Sequence, residues 1–475
     1  MEKKCSFLVW VLLSIFAISC TDVYKEDDSE EEEVIVPPGD TYTAEKETYC
    51  LNVVYYVPAD VEDVEDWHYR LSGVTLHVQN YFYENFMRYR VDKKFGLELN
   101  DVNADFIRIH YIKSTRKLVE MQERNMSEMA QEVLGYFEQH PESKKSDHYL
   151  VWMPEYSGSF INFYYPSAKE GFAFAGVDNT RWKIRYFDSA RARATFLSNL
   201  GTVLRVFAKS CFLPYSNAGL DSPFRALMGA EKALGSSAMK AQPYFNSRNY
   251  AGWVTSSSAS YTEGTPDKVR LMIWDVRYLA GTQLFNDDCS YEPFDVTVED
   301  VKVLSKQGVL EYVDDTLHVT CKFKCPVELA GVLMLDDPWR TYDPVFGRRD
   351  ESLDKDEMQD TGWDAFGVYV DQASLEKEGD VYTASFVVPL YNHINFELST
   401  NANTVISHEI RFRFIGKNGM AFPHAPTSIK GGPCSAPLRT CYKLVRTRLG
   451  TGYPAVYYVL HDIPTKYGTW VSESE

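Results

Sequence analysis

The apolar positions change spacing several times along the chain. Residues 49–58, YCLNVVYYVP, are β-branched and aromatic and stop at Pro58, which predicts a buried strand. An acidic loop runs to Glu65, and Asp66 stands where the next helix needs an N-cap. From there Trp67, Leu71, Val74, Val78, Phe82, Phe86 and Tyr89 recur at steps of three and four, so one face of a long helix is turned to a core. FIRIHYIK (106–113) predicts a second strand, residues 127–140 a second helix, and DHYLVWMP (147–154) a third strand closed by proline. GFAFAGVD (171–178) predicts a fourth, edge-like strand. Residues 192–210 return to helical spacing, with Phe196, Leu200, Val203 and Phe207 on one face. This order is that of an α/β (α+β) domain with a mixed sheet packed by helices.

After about residue 290 the texture changes. DTLHVTCKFKC (315–325), AFGVYVD, VYTASFVVP and HEIRFRFIGKNG alternate apolar and polar positions, and Lys417-Asn418-Gly419 reads as a turn. Short alternating runs between loops predict an antiparallel β-sandwich, Ig-like or jelly-roll. Residues 336–364 form a long polar insertion bearing Trp339, Tyr342 and Trp363. A loop of that length is usually functional or disordered. Its rings either offer a stacking platform to a glycan or fold back over the sandwich. YPAVYYVLHDIP near the end predicts a last strand.

The first residues carry a different signal. Two lysines precede a short apolar run, residues 6–18, that ends in Ala17-Ile18-Ser19-Cys20. Residues 1–19 are read as a secretory signal peptide. Cys20 after a small residue resembles a bacterial lipobox, with Ala17 where that pattern prefers Leu. The resemblance implies acylation of Cys20 and a membrane partner reached through a lipid anchor; an ordinary secretory signal with an incidental cysteine is the alternative. Residues 20–45 are an acidic tether containing Pro37-Pro38-Gly39. Like charges keep such a block solvated. Lys25-Glu26-Asp27-Asp28 also resembles the acidic export signal of surface lipoproteins in the Bacteroidetes, which implies the outer membrane and its outer face. No later run has the roughly 20 consecutive apolar residues of a membrane-spanning helix.

Net charge is −18, much of the excess lying in the tether. That excludes nucleic acid as a partner, since phosphate binding needs a basic face. The 32 Tyr, 27 Phe and 9 Trp suit protein or glycan contacts as well as core packing. Without Cys5 and Cys20, seven cysteines remain, at 50, 211, 289, 321, 325, 434 and 441. An odd number leaves at least one free thiol. Cys321 and Cys325 share one side of a predicted strand, and no CxxC pair with partnering histidines proposes a structural zinc site.

The first half also resembles a known family. Residues 53–99 are similar to the opening of a family of bacterial secreted zinc metallopeptidases: a strand, a V-P-x-D loop, a long helix, and a segment where Phe95-Gly96-Leu97 stands. LGTVLRVFAKSCFLPYSNAGLDSPFRALMG (200–229) continues the likeness with a helix, a tight turn and Ala226-Leu227-Met228-Gly229 as a Met-turn-like segment around Met228. The resemblance covers roughly residues 50–290. It implies a metzincin-type, zincin-like domain over 46–290, followed by the β-sandwich over 291–475.

That class uses H-E-x-x-H-x-x-G-x-x-H. Histidines one helical turn apart bind zinc from the same side, and the glutamate takes a proton from zinc-bound water. The glycine lets the chain leave the helix, and a third histidine returns to the metal. On this chain Arg205 falls at the first ligand, Val206 at the base, Lys209 at the second ligand, Phe212 at the glycine and Tyr215 at the third ligand. No cofactor or metal is therefore expected. Two cations in a dication's ligand sphere are unfavourable, Val206 accepts no proton, and no histidine lies between His148 and His318. Arg205, Lys209 and Tyr215 then line an old cleft that accepts an acidic group, or the cations pair locally or sit in solvent. No G-x-S-x-G elbow, P-loop or dinucleotide fingerprint occurs. Asp287-Asp288, Asp314-Asp315 and Asp336-Asp337 are acidic pairs at expected turns. The expectation is a surface lipoprotein with a catalytically silent metallopeptidase-like domain that binds protein or glycan. The alternatives are a glycan-active hydrolase or carbohydrate-binding lipoprotein with its site elsewhere and, more weakly, a residual zinc peptidase.

Overall fold

The computed structural model describes residues 37–475 except 64–65, 123–125, 155–160, 178–189, 215, 217–224, 229–268, 306–315, 339–341, 344–347, 350–365, 390–404, 423–437, 449–454 and 465–475. The described residues all belong to one compact unit. No helix among them is long and apolar enough to cross a membrane.

The first half is a three-layer arrangement of mixed α/β content. An outlying ribbon pairs β1 (Tyr42–Ala44) with β3 (Glu98–Asn100). The main sheet contains β2 (Asn52–Val57), β4 (His110–Lys113), β5 (His148–Pro154), β6 (Ile161–Tyr164) and β7 (Gly171–Val177) in the order β4-β2-β5-β7-β6. The first four run parallel and β6 is antiparallel to β7. Helix α1 (Trp67–Arg88) precedes β3 in the chain, while α2 (Leu118–Gln122) and α3 (Met126–Gln139) lie between β4 and β5. β2 explains the layering. Val53, Tyr55 and Val57 pack with Leu71, Val78 and Phe82 of α1. Val54 and Tyr56 pack on the opposite side with Met129, Val133 and Phe137 of α3. A strand buried on both faces cannot alternate, which is why it reads as an unbroken apolar run.

Three expectations for the first half need correction. Asp66 precedes α1 but lies at φ 52 and makes no side-chain capping bond; its carboxylate is 3.9 Å from Arg70 instead. Residues 106–109 are outside the strand ladder, apart from a Leu99–Ile107 bridge, and β4 begins only at His110. β7 is interior rather than at an edge, because the four residues of β6, too short to show a period, border it.

Beyond residue 295 two antiparallel sheets face each other. One has β10 (Thr297–Ser305), β11 (Thr316–Lys324), β17 (Val381–Pro389) and β16 (Glu376–Glu378). The other has β15 (Phe366–Asp371), β12 (Leu329–Pro338), β18 (Val405–Gly416), β20 (Leu438–Arg448) and β21 (Ala455–Pro464), with β19 (Ala421–Phe422) beside β18. Within the predicted insertion, β13 (Tyr342–Asp343) pairs with β14 (Arg348–Arg349). Val319, Cys321 and Phe323 alternate inward as expected. Phe323 meets Phe414 at 4.6 Å and Phe386 meets Phe412 at 5.7 Å between ring centroids. Asp336-Asp337 sits in β12, not at a turn. Cys50, Cys211, Cys289, Cys321 and Cys325 are free thiols.

The two halves share one core, which runs from Leu51 to Ala421. The backbone N–H groups of Ser290 and Tyr291 both donate to the Asn418 carbonyl, each at 3.0 Å. Gly419, at φ 83, comes so close that a Cβ would lie 2.2 Å from the Cys289 sulfur; only glycine fits.

Candidate functional site

The candidate site is built on helix α4 (Ala190–Ser210) and the turn that follows. Leu200, Val203 and Phe207 face the core as the periodicity predicts, and Phe207 meets Phe82 and Phe95 at 5.1 and 5.0 Å. The helix ends in a Schellman pair: Leu213 N–H donates to the Ala208 carbonyl at 3.1 Å and Phe212 N–H to that of Lys209 at 2.7 Å. The residue that turns the chain in this motif adopts a left-handed conformation and is usually glycine. Here it is Phe212, at φ 65. At the position where the resemblance implies a glycine, Phe212 thus takes the backbone conformation that glycine favours. A left-handed residue with a side chain costs roughly 1–2 kcal/mol. The ring of Phe212 is held among His148, Tyr165 and Tyr291 at 5.4, 5.3 and 5.7 Å, contacts that offset the strain.

Every residue from Val203 to Leu213 is buried, including Arg205 at 8% and Lys209 at 4% exposure. Neither cation sits in solvent. Arg205 Nε donates to the Leu227 carbonyl at 2.9 Å, and Lys209 Nζ lies 5.3 Å from the Phe163 ring centroid on β6. The Tyr165 hydroxyl donates to the Lys209 carbonyl at 2.5 Å. Val206 is buried and apolar, and Met228 is fully buried. The turn at 227–228 is fixed by β8 (Arg225–Ala226), which pairs in parallel with β9 (Val269–Arg270). β9 and the residue after it are in turn clasped by α1 and its C-cap: the Tyr81 and Tyr89 hydroxyls donate to the carbonyls of Val269 and Leu271.

Two buried clusters had no signal in the sequence. Ser216 N–H donates to the Met228 carbonyl at 3.1 Å. Its hydroxyl donates to Asp275 Oδ1 at 2.9 Å and accepts from Trp274 Nε1 at 3.0 Å. Asp275 and Trp274 belong to α5 (Ile273–Leu279). Asp275 also accepts from Met272 N–H at 2.8 Å. Burial pushes its carboxyl up to about 7, against the pull of those bonds. The second cluster holds the end of α4. His148 Nδ1 is 2.9 Å from the Ser210 carbonyl and Nε2 is 2.6 Å from the Tyr291 hydroxyl. The carbonyl only accepts, so Nδ1 carries a proton; the Tyr291 hydroxyl accepts from Gln283 N–H at 3.0 Å and turns its own proton to Nε2, which leaves the ring neutral. Burial agrees, lowering its pKa to about 4. A Cβ on Gly171 would stand 1.8 Å from the same Ser210 carbonyl, so β7 reaches the helix end only through glycine. These partners lie too far apart in sequence for any local pattern to announce them.

At the ligand and base positions the resemblance implies, the described residues do not fit zinc. Arg205 offers an N–H that already donates to a carbonyl, Lys209 covers an aromatic ring, and Val206 holds no lone pair. Zinc needs deprotonated N, S or O ligands. Among the described residues no group of three or more His, Cys, Asp or Glu is placed to hold a metal ion. Cys20, Tyr215, Trp339 and Trp363 lie outside the described residues, as do Asp314 and Asp315. Tyr342 is placed in β13 by its backbone. Asp287 accepts from Thr48 at 2.7 Å and pairs with Lys46 at 3.4 Å, a local ion pair.

The described fold sets a mixed sheet with an antiparallel border beside a helix that ends in a left-handed hinge. Solved structures with this fold include wild type OgpA from Akkermansia muciniphila in two crystal forms. One matches with a TM-score of 0.55 and 18% identity over 86% of this chain and 97% of the other; the second has a TM-score of 0.55, 17% identity, 87% and 96%. Catalytic inactive OgpA in complex with an O-glycopeptide (glycodrosocin) substrate matches with a TM-score of 0.54 and 17% identity over 82% and 94%. At such identity the likeness is one of fold. Neither a protein-family model nor a curated protein matches the sequence.

Proposed function

We propose that this chain is a glycoprotein-binding module: a zincin-like domain without metal-dependent peptidase activity, joined to a β-sandwich, in a lipid-anchored protein of the outer membrane's outer face. The observation that carries the reading is the donor set of α4, where Arg205 and Lys209 engage a carbonyl and a ring on a frame shared with OgpA. The ligand class is an O-glycosylated peptide, in keeping with the substrate complex of catalytic inactive OgpA. The lipid anchor rests on the Ala17–Cys20 sequence: Cys20→Ser is expected to abolish acyl labelling of the chain in cells, and unchanged labelling would remove that part of the reading.

The test of the module is binding and turnover of glycodrosocin beside its unglycosylated peptide, with zinc and with a chelator. Binding of the glycosylated form alone, unchanged by the chelator and without cleavage by mass spectrometry, is expected. Cleavage that zinc restores and a chelator removes would overturn the proposal.

A further inference from the structure

We infer that the side chains around α4 form a latch that ties together the segments a metal ion would otherwise join. In the ligand pattern the resemblance implies, the metal binds at 205 and 209 on the helix and at 215 beyond the hinge, so it fastens helix to post-hinge chain. In this protein the same segments are joined by hydrogen bonds. Arg205 fastens α4 to the turn through the Leu227 carbonyl. Ser216, one residue beyond the third ligand position, donates its N–H to the Met228 carbonyl in the same turn. Its hydroxyl joins Asp275 and Trp274 of α5. Trp274 then lies against β15, where a Cβ on Gly367 would stand 2.5 Å from the indole. One connected path therefore leads from α4 through the turn, residue 216 and α5 to the sheet of the second half.

Burial makes the path rigid. Arg205 is 8% and Asp275 1% exposed, so water competes little for their bonds, and the bond from the Arg205 guanidinium is of the stronger, charge-assisted kind. The latch also explains how the helix can carry a cation at position 205 within a stretch, residues 203–210, that is buried at every residue. It goes beyond the proposed function, because it stands on contacts within the chain and needs no glycopeptide.

The test is site-resolved hydrogen exchange on the full chain. The amides read are Ser216, bonded to Met228, and Leu227, bonded to the Arg270 carbonyl, with those of Tyr149–Trp152 in β5 as internal reference. A chelator is expected to change none of them. Arg205→Met is expected to speed Ser216 and Leu227 by about tenfold or more relative to β5, and Arg205→Lys, which keeps a cationic donor, to recover part of the protection. Ser216→Ala is expected to speed Leu227 several-fold. Faster exchange at Ser216 and Leu227 with chelator would show that an ion holds the site and overturn the latch. An unchanged ratio in Arg205→Met, or a rise shared equally by β5, would also overturn it. If Arg205→Met does not fold, Ser216→Ala decides alone: an unchanged Leu227 amide refutes the inference.

Discussion

Two faces of α4 are buried by different means. The face carrying Leu200, Val203 and Phe207 is covered by rings and aliphatic chains. The face carrying Arg205 and Lys209 is buried too, but each charge has a specified companion: the Leu227 carbonyl and the Phe163 ring. Apolar burial tolerates many partners of the right volume. Burial of charge tolerates few, since a cation removed from water needs an oriented acceptor. The first face therefore holds the helix in the fold, and the second fixes what the helix is attached to.

The largest expected effect probes the apolar face. Phe207→Ala removes a fully buried ring packed on Phe82 and Phe95 and should destabilise the protein by about 3–5 kcal/mol in denaturant unfolding. A loss below about 1 kcal/mol would mean that the helix is held mainly by its polar face.

The next effect separates two buried titrations. His148 has its pKa lowered to about 4 from an ordinary 6.5, so its contribution is complete above pH 6.5. It is lost as pH falls towards 4, where the unfolded chain gains a proton that the folded one refuses. His110, lowered to about 4 by burial, acts in the same direction. Asp275, raised to about 7 from 3.8, works oppositely: the folded state keeps a proton that the unfolded state has released. Its stabilisation is complete below pH 3.8 and is lost as pH rises towards 7. Between pH 4.5 and 6.5 Asp275 offsets one histidine. Asp275→Asn removes the counterweight and should deepen the acid loss by about 2 kcal/mol across that window. Parallel melting curves for variant and parent would show that Asp275 does not titrate there.

The smallest effect concerns the hinge. At an ordinary helical position glycine is less stable than alanine by about 0.5–1 kcal/mol. At Phe212, with φ 65, the order should reverse, and Phe212→Gly should exceed Phe212→Ala by about 1 kcal/mol. Both should lie below the parent, because both lose the ring contacts. Equal stabilities would mean that the hinge relaxes out of the left-handed region when the ring is gone.

How much was legible follows from the same division. β2, α1, α3 and α4 appear at nearly the expected bounds because apolar spacing is a local property and each element repeats it over several turns or residues. β6 was missed because four residues carry no period. Asp66 was misjudged because its residue type suits an N-cap while its backbone does not. The residue types at 205, 206, 209 and 212 could be read from the sequence, and the resemblance implied what they would stand in for. The buried clusters around them could not: Asp275 lies 59 residues from Ser216, and Tyr291 lies 143 from His148. Such pairs meet only because the sheet and α1 bring their segments together.

The parallel pairing of β8 with β9 sets Arg225 beside Val269 and Ala226 beside Arg270. The described chain thus leaves at residue 228 and returns at 269 on two stems anchored side by side, with Tyr81 of α1 and Tyr89 just past it gripping the returning one. Both stems are thus held by the body of the fold through their own backbone and tyrosine bonds, so the place where the chain departs and the place where it returns are set independently of each other's local sequence.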